Sequence, residues 1–319
     1  MDPETFALDL AHRIRQAVAP LLGHPDARRH AGVAAGGDTT YGIDEVAERV
    51  AEAAFAELDD IAYFTEDAGM RVRGRPTAFF LVDPIDGTRP STAGFETCCV
   101  TLAVGPPGSE RTLGDLTYGC IVEIATGAEF EARRGEGARA EGRSLSPSKA
   151  TDLDGLFWGG GFRGQPAMAL SAVLAGIFDV AGARGAFFDQ GSAAYSLSRV
   201  ATGQLDAAVD PGPWILEEMP ELEEAFRAAG GGHVLNTTCY DTAAGLLLLW
   251  ELGCPATDAA GRPLEDVALL DAEGKASFVG AVAASTQELH GALLDALARG
   301  MERLRALVRT VGVDGLLGS

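Results

Sequence analysis

The chain has 319 residues, 47% apolar and 22% charged, a composition that excludes a disordered polymer, a collagen or a coiled coil. Its 25 basic and 46 acidic side chains leave a formal charge of −21, with Lys149 and Lys275 the only lysines, so a nucleic-acid polymer or an anionic membrane would be repelled. An anionic substrate then needs positive charge from another source, and a bound divalent cation is the obvious one.

At this length roughly three quarters of the unfolded surface can be buried, enough for two cores of about 150 residues each. The five cysteines, Cys98, Cys99, Cys120, Cys239 and Cys254, are odd in number and lack CxxC spacing, as in a reduced cytoplasmic chain. The acidic start, Met1-Asp2-Pro3-Glu4, is unlike a secretory signal, and the longest apolar run, residues 246–250, is far below the ~20 residues of a membrane span. A soluble protein is expected.

In chain order, Asp2 and Pro3 start a helix with Phe6, Leu10, Ile14, Val18 and Leu21 on one face, ending near Gly23. A Gly/Ala/Arg-rich loop over 24–42 precedes a second helix with Ile43, Val46, Ala47, Val50, Ala54 and Leu58 on one side. Short apolar runs predict strands at 61–64, closing on Thr65-Glu66-Asp67, and at 77–82, closing on Asp83-Pro84. From 96 to 143 the texture is that of antiparallel strands, at 98–104, 118–124 and 129–132. Beyond 148 helices are expected at 168–178, 192–201, 242–252 and 287–307, with strands at 205–209 and 278–283. This divides the chain into an α+β lobe, residues 1–150, and an α/β lobe, residues 151–319.

The strongest local signal is Asp83-Pro84-Ile85-Asp86-Gly87-Thr88, directly after a buried strand. Such a hexapeptide arises by chance in about one chain in tens of thousands of this size. Pro84 stiffens the strand exit, and Asp83 and Asp86 can converge with the Ile85 carbonyl between them, a set of hard oxygen ligands suited to Mg²⁺. Gly87 allows close backbone approach, and the amides of Gly87 and Thr88 can cradle a phosphate. A solvated turn with a capping aspartate is the plain alternative.

On these residues the sequence resembles the inositol monophosphatase / fructose-1,6-bisphosphatase superfamily of Mg²⁺-dependent phosphomonoesterases, over nearly the whole chain. Asp83 to Thr88 matches its metal signature, and Glu66 with Asp67 matches its acidic pair, of which the first residue is a ligand. Asp44 falls where the family has an aspartate that works with the signature threonine, here Thr88. Tyr240-Asp241-Thr242-Ala243-Ala244-Gly245 resembles its aromatic-Asp-x-Ala-Ala-Gly motif. Gly191, Ser192 and Ala193 resemble the segment lining the sugar or inositol ring, and Asp210 sits where an acid accepts hydrogen bonds from substrate hydroxyls. Each acid also has a simpler reading: Asp44 as a helix-dipole acid, Glu66 as a strand end, Asp241 and Ser192 as helix N-caps.

The resemblance implies a layered αβαβα sandwich and two to three Mg²⁺ ions held by Glu66, Asp83, Ile85, Asp86 and Asp241. Asp44, Glu66 and Thr88 would act in catalysis. Water on a metal, oriented by Thr88 with Asp44 behind it, would attack phosphorus directly, and Li⁺ should inhibit. With no nearby lysine, charge neutralisation of the phosphoryl group would fall to the metals, the Gly87 and Thr88 amides, and Arg89. Gly36-Gly37-Asp38-Thr39-Thr40 before Asp44, and Thr65-Glu66-Asp67-Ala68-Gly69, look closest to the archaeal-type bifunctional branch. The substrate would then be inositol 1-phosphate or fructose 1,6-bisphosphate, and the enzyme a cytoplasmic homodimer. A nucleotide-bisphosphate or NADP phosphatase, and a catalytically silent phosphometabolite-binding regulator, are the competing readings.

Two features depart from the family. Pro90 stands where asparagine is usual, and Asp210 and Asp241 are separated by an extra segment, 211–238, with an acidic helix-like run at 217–227 and a triple glycine at 230–232. The glycine-bearing loop over 32–42 is expected to be a lid that orders when metal and phosphate bind.

Overall fold

A computed structural model gives the structure of residues 2–33, 39–108, 111–313 and 315. Helix α1 (Pro3–Val18) is capped by the Asp2 carboxylate, which accepts from the Thr5 amide at 2.9 Å, with Pro3 at the first helical position. A 3-10 turn at Ala19–Leu21 ends this stretch before Gly23, whose φ is 68°. β1 (His30–Val33) and β2 (Thr39–Tyr41) pair antiparallel. Residues 34–38, the centre of the expected lid, lie outside the described residues. Helix α2 (Gly42–Ala56) follows, and Phe6, Leu10 and Ile14 of α1 share a core with Ile43, Ala47 and Phe55 of α2.

The first sheet comprises β3 (Ile61–Thr65), β4 (Gly69–Arg73), β5 (Ala78–Asp86), β6 (Cys99–Gly105), β7 (Tyr118–Glu123), β8 (Glu129–Arg133), β9 (Gly137–Ala140) and β10 (Arg143–Ser144), with the short helix α3 (Thr88–Ala93) after β5. Its order is β10-β9-β8-β7-β6-β5-β3-β4. β3 runs parallel to β5 and the other pairings are antiparallel. The second sheet takes β11 (Phe157–Gly159), β12 (Ala186–Phe188), β13 (Ala207–Val209), β14 (Ala256–Thr257) and β15 (Val282–Ala284) in the order β12-β11-β13-β15-β14. Between these strands lie α4 (Ala167–Ala181), α5 (Ala193–Thr202), α6 (Gly212–Glu218), α7 (Glu223–Ala229), α8 (Cys239–Glu251) and, last, α9 (Gln287–Val311).

Strand alternation builds five layers. Phe80 and Val82 of β5 face the α1/α2 core, whereas Phe79 and Leu81 join a central core with Leu197 of α5 and Leu246–Leu249 of α8. Ala208 and Ala283 of the second sheet close that central core, while Ala207, Val209 and Val282 face Val173 of α4 and Leu293 of α9. The result is the αβαβα sandwich. Helix α8 is buried between two sheets, so its sequence is apolar on every side instead of in one stripe.

Some expectations are corrected. The acidic run 217–227 is two short helices, because Pro220 forces Met219 out of helical geometry (φ −137°, ψ 67°) and a 3-10 turn at Pro220–Leu222 separates α6 from α7. The strand at 278–283 shrinks to β15, with Phe278 in an isolated bridge to Thr238. β4, β9, β10 and β12 escaped the sequence reading because they are short, mostly polar or half-exposed, and lack a periodic apolar face. The described cysteines are all buried and unpaired, and among the described residues no helix is long and apolar enough to cross a membrane.

Candidate active site

Asp83 and Asp86 are three apart, so on a regular strand they would point to opposite faces. The β5–β6 register shifts between them, where Pro84 has no amide to give the ladder. The irregularity turns both carboxylates to one place. There Asp241 joins them from the first turn of α8, and one oxygen from each of the three lies within 4.8 Å of the others.

Each is held by the element behind it. Asp83 Oδ1 accepts from the Ile85 amide at 2.9 Å. Asp86 accepts from Ser192 Oγ (2.7 Å) and from the amides of Ala194 (2.6 Å) and Ala193 (3.3 Å), so the start of α5 binds it directly. Ser192 also caps that helix, accepting from the Tyr195 amide at 3.1 Å, as its N-cap reading has it. Asp241 is not the N-cap of α8: Thr238 is, and its amide (2.6 Å) and hydroxyl (2.9 Å) both donate to Asp241 Oδ2.

Beside this cluster Thr88 Oγ1 lies 3.0 Å from Asp44 Oδ1 and 3.2 Å from the Ile85 carbonyl, a choice of two acceptors for one proton. Asp44 Oδ2 accepts from the Tyr41 amide at 2.8 Å, and Thr40 donates to Asp67 at 2.9 Å. Gly87, which precedes α3, has φ 93°, and a Cβ there would lie 2.7 Å from the Thr97 carbonyl oxygen, so only glycine fits. Pro90 packs its ring on Gly191, where a Cβ would approach Pro90 Cγ to 2.8 Å. Its missing amide is harmless in a first helical turn.

Burial drives the carboxyl pKa values upward, and the like charges add to it. Asp44 and Asp86 are each raised to about 7, with burial the first cause. Glu66 and Asp83 are raised well above the usual range by burial and then by their acidic neighbours, Asp241 among them. A group of acids so placed is unfavourable alone and is relieved by a hard cation. The donors are all oxygens, which fits a divalent ion of the Mg²⁺ type; Asp83, Asp86 and Asp241 are the side chains that would hold it, and Glu66, outside that group of three, lines the adjoining cavity.

A cavity of about 830 Å³ opens in front, lined by Glu66, Asp86, Asp241, Ser192 and Asp210 among others. The sequence reading missed Arg163, Gln165, Asn236 and Lys275 on its walls. They come from three loops scattered through the C-terminal half, without a local motif. The expectation that no lysine is near is therefore corrected: Lys275 lines the cavity, its Nζ 3.7 Å from Glu273. The segment 211–238 contributes a wall, residues 233–238.

The sequence profile of the inositol monophosphatase family matches residues 4–302. A fructose-1,6-bisphosphatase/inositol-1-monophosphatase from Methanothermobacter thermautotrophicus is 27% identical over 299 residues, 91% of this chain and 95% of that protein. A bifunctional NADP phosphatase/NAD kinase from Methanococcus maripaludis is 28% identical over 169 residues, 48% of this chain and 30% of its own length. A solved inositol monophosphatase-fructose 1,6-bisphosphatase shares the fold at TM-score 0.71 and 19% identity, covering 93% of this chain and 100% of that one. The chain thus belongs to the inositol monophosphatase family and is a phosphatase.

Proposed function

We propose that this phosphatase hydrolyses the phosphomonoester of a small polyol or sugar, such as inositol 1-phosphate or fructose 1,6-bisphosphate, with Mg²⁺ held by the acidic cluster. The observation that carries the reading is the convergence of Asp83, Asp86 and Asp241 within 4.8 Å beside the Thr88–Asp44 pair. The similarity to the Methanothermobacter protein over 91% of the chain supports the choice of substrate class. When bound, the ions would supply an acidified water and stabilise charge on the phosphate and leaving oxygen.

The chain's own residues do the rest. With Thr88 donating to Asp44, the lone pairs of Thr88 Oγ1 are left to accept a hydrogen bond from a water and so aim it. Asp44 is braced by the Tyr41 amide and cannot swing away. Asp86 is locked by the start of α5, which also carries Ser192 and Ala193 to the cavity, so ligand sphere and substrate wall move as one body. The amides of Gly87 and Thr88, with Arg89, would meet the phosphoryl oxygens.

A nucleotide substrate is the second reading, favoured by a cavity of about 830 Å³, near the upper end for small-molecule sites, and by the similarity to the NADP phosphatase/NAD kinase. A panel of inositol 1-phosphate, fructose 1,6-bisphosphate, 3′-phosphoadenosine 5′-phosphate and NADP⁺, with and without Mg²⁺, tests both. Faster release of phosphate from either sugar-type substrate is expected. A far higher kcat/KM for either nucleotide overturns the polyol reading, and inertness toward all four with Mg²⁺ defeats both readings.

A further inference from the structure

The Asp210 carboxylate, at the end of β13, is already engaged by the protein. Gln165 Nε2 (3.1 Å) and the Gly212 amide (3.0 Å) donate to Oδ1, and the Thr237 hydroxyl (2.6 Å) donates to Oδ2. These donors come from the loop before α4 and from both ends of the 211–238 segment. Asp210 therefore clasps that segment to the body of the protein and has little capacity left for a ligand.

The clasp also brings two side-chain amides to the same wall. Gln165 follows Gly164, whose backbone is so close to the inserted segment that a Cβ would sit 2.6 Å from Leu235 Cβ. Asn236 lies between Leu235 and Thr237 on that segment. Both amides line the cavity, Gln165 is only 7% exposed, and Gln165 Oε1, Asn236 Oδ1 and Asn236 Nδ2 are buried without hydrogen-bond partners. Buried polar atoms without partners are uncommon and unfavourable, and here three of them belong to two residues that line one ligand-sized space. The Gln165 orientation is fixed chemically, since its nitrogen must face the Asp210 carboxylate, leaving its oxygen as an acceptor.

We propose that Asn236 and Gln165 are specificity-determining residues that read the hydroxyl-bearing end of the substrate, with Asp210 as the positioning residue that holds them. A vicinal diol is the matching group: one hydroxyl donates to Asn236 Oδ1 and its neighbour accepts from Asn236 Nδ2. A further hydroxyl donates to Gln165 Oε1. A nucleobase edge offers the first pair of bonds, but a polyol also supplies the third donor from an adjacent carbon. Because the amide atoms are buried, binding turns the Asn236 side chain about its Cα–Cβ bond to carry the carboxamide into the cavity it lines.

This inference deepens the polyol phosphatase reading and rests on it. The test compares kcat/KM for inositol 1-phosphate with that for p-nitrophenyl phosphate, which has no hydroxyls, on the same preparations of wild type, Asn236→Leu, Asn236→Ser and Gln165→Leu with Mg²⁺. The ratio cancels any loss of folded protein, and serine keeps a small polar group should leucine prevent folding. A tenfold or greater fall in the ratio for an Asn236 variant, with a smaller fall for Gln165→Leu, is expected, carried by KM more than by kcat. An unchanged ratio overturns the assignment while leaving the phosphatase reading intact, and so does a fall seen only when 3′-phosphoadenosine 5′-phosphate replaces inositol 1-phosphate. A wild type inert toward every ester defeats the functional reading and this one with it.

Discussion

At Asp241 two demands meet in one side chain. Its Oδ2 completes the capping box of α8 with Thr238, and its charge lies against Asp83 and Asp86. Asparagine keeps an acceptor for the cap and removes the charge. Asp241→Asn is therefore expected to lower kcat with Mg²⁺ by about 100-fold or more, the scale of losing one preorganised electrostatic element. The same variant should raise the melting temperature of the metal-free protein at pH 8, where the acids repel. If activity survives while the melting temperature falls, Asp241 is only a capping residue. Thr88 offers a cleaner separation: Thr88→Ser keeps the hydroxyl that meets Asp44 and should retain most activity, whereas Thr88→Val should lose about 100-fold in kcat with little change in KM. Equal activity in both variants would remove Thr88 from the reaction. These residues were legible from sequence because four acidic motifs each carry their own local context. Gln165, Asn236 and Lys275 were not, since an isolated amide or lysine in a loop has no pattern to distinguish it.

Helices α5 and α8 meet where Gly245 faces Leu197, and a Cβ on Gly245 would lie 2.7 Å from Leu197 Cβ. One helix holds Asp86 and the other carries Asp241, so their separation sets the width of the acidic cluster. Gly245→Val is expected to destabilise by about 1–3 kcal/mol through overpacking and to weaken Mg²⁺ activation, raising the Mg²⁺ concentration at half-maximal rate. A stability loss with unaltered Mg²⁺ dependence would show that the helix spacing does not govern the site. A second tie joins α5 to the first sheet, where Arg199 pairs with Glu123 at 12% and 4% side-chain exposure and lies over the rings of Tyr195 and Phe130. Breaking a buried pair strands a charge, so Arg199→Ala should cost about 3–5 kcal/mol in denaturant unfolding. The apolar run of α8 was readable as a helix. That both of its faces are covered, and that glycine sets its distance from α5, became visible only when the two sheets were in place.

For the molecule as a whole, the site makes stability depend on pH in a definite direction. Asp44 and Asp86 are raised in the folded state to about 7 from an ordinary 3.8, so between these values the folded chain binds more protons than the unfolded one. Stability of the metal-free protein is then fully present below about pH 4 as far as these groups are concerned, and is lost as pH rises through about 7. The formal charge of −21 pushes the same way, but exposed charges are screened by salt and the buried ones are not. Calorimetry of the metal-free protein in 0.5 M NaCl should thus still show a melting temperature falling from pH 5 to pH 8. Saturating Mg²⁺ at pH 8 should restore about 4 °C, the shift for a ligand near 100 times its Kd in a chain of this size. A melting temperature insensitive to Mg²⁺ at pH 8 would count against a metal in the acidic cluster.

By itself the sequence determined the acids that cluster at Asp83, Asp86 and Asp241, the layered architecture and the kinship, because the signals are local: a hexapeptide after a buried strand, acids at strand ends and helix starts, and alternation that separates the faces of a sheet. The tertiary structure alone decided how the 211–238 segment meets the cavity, why Asp210 clasps it, and which amides and cations share a wall with the acids. Those relations join residues such as Gln165 and Asp210, or Thr238 and Phe278, that no periodicity connects, and only closing the chain around one cavity brings them together.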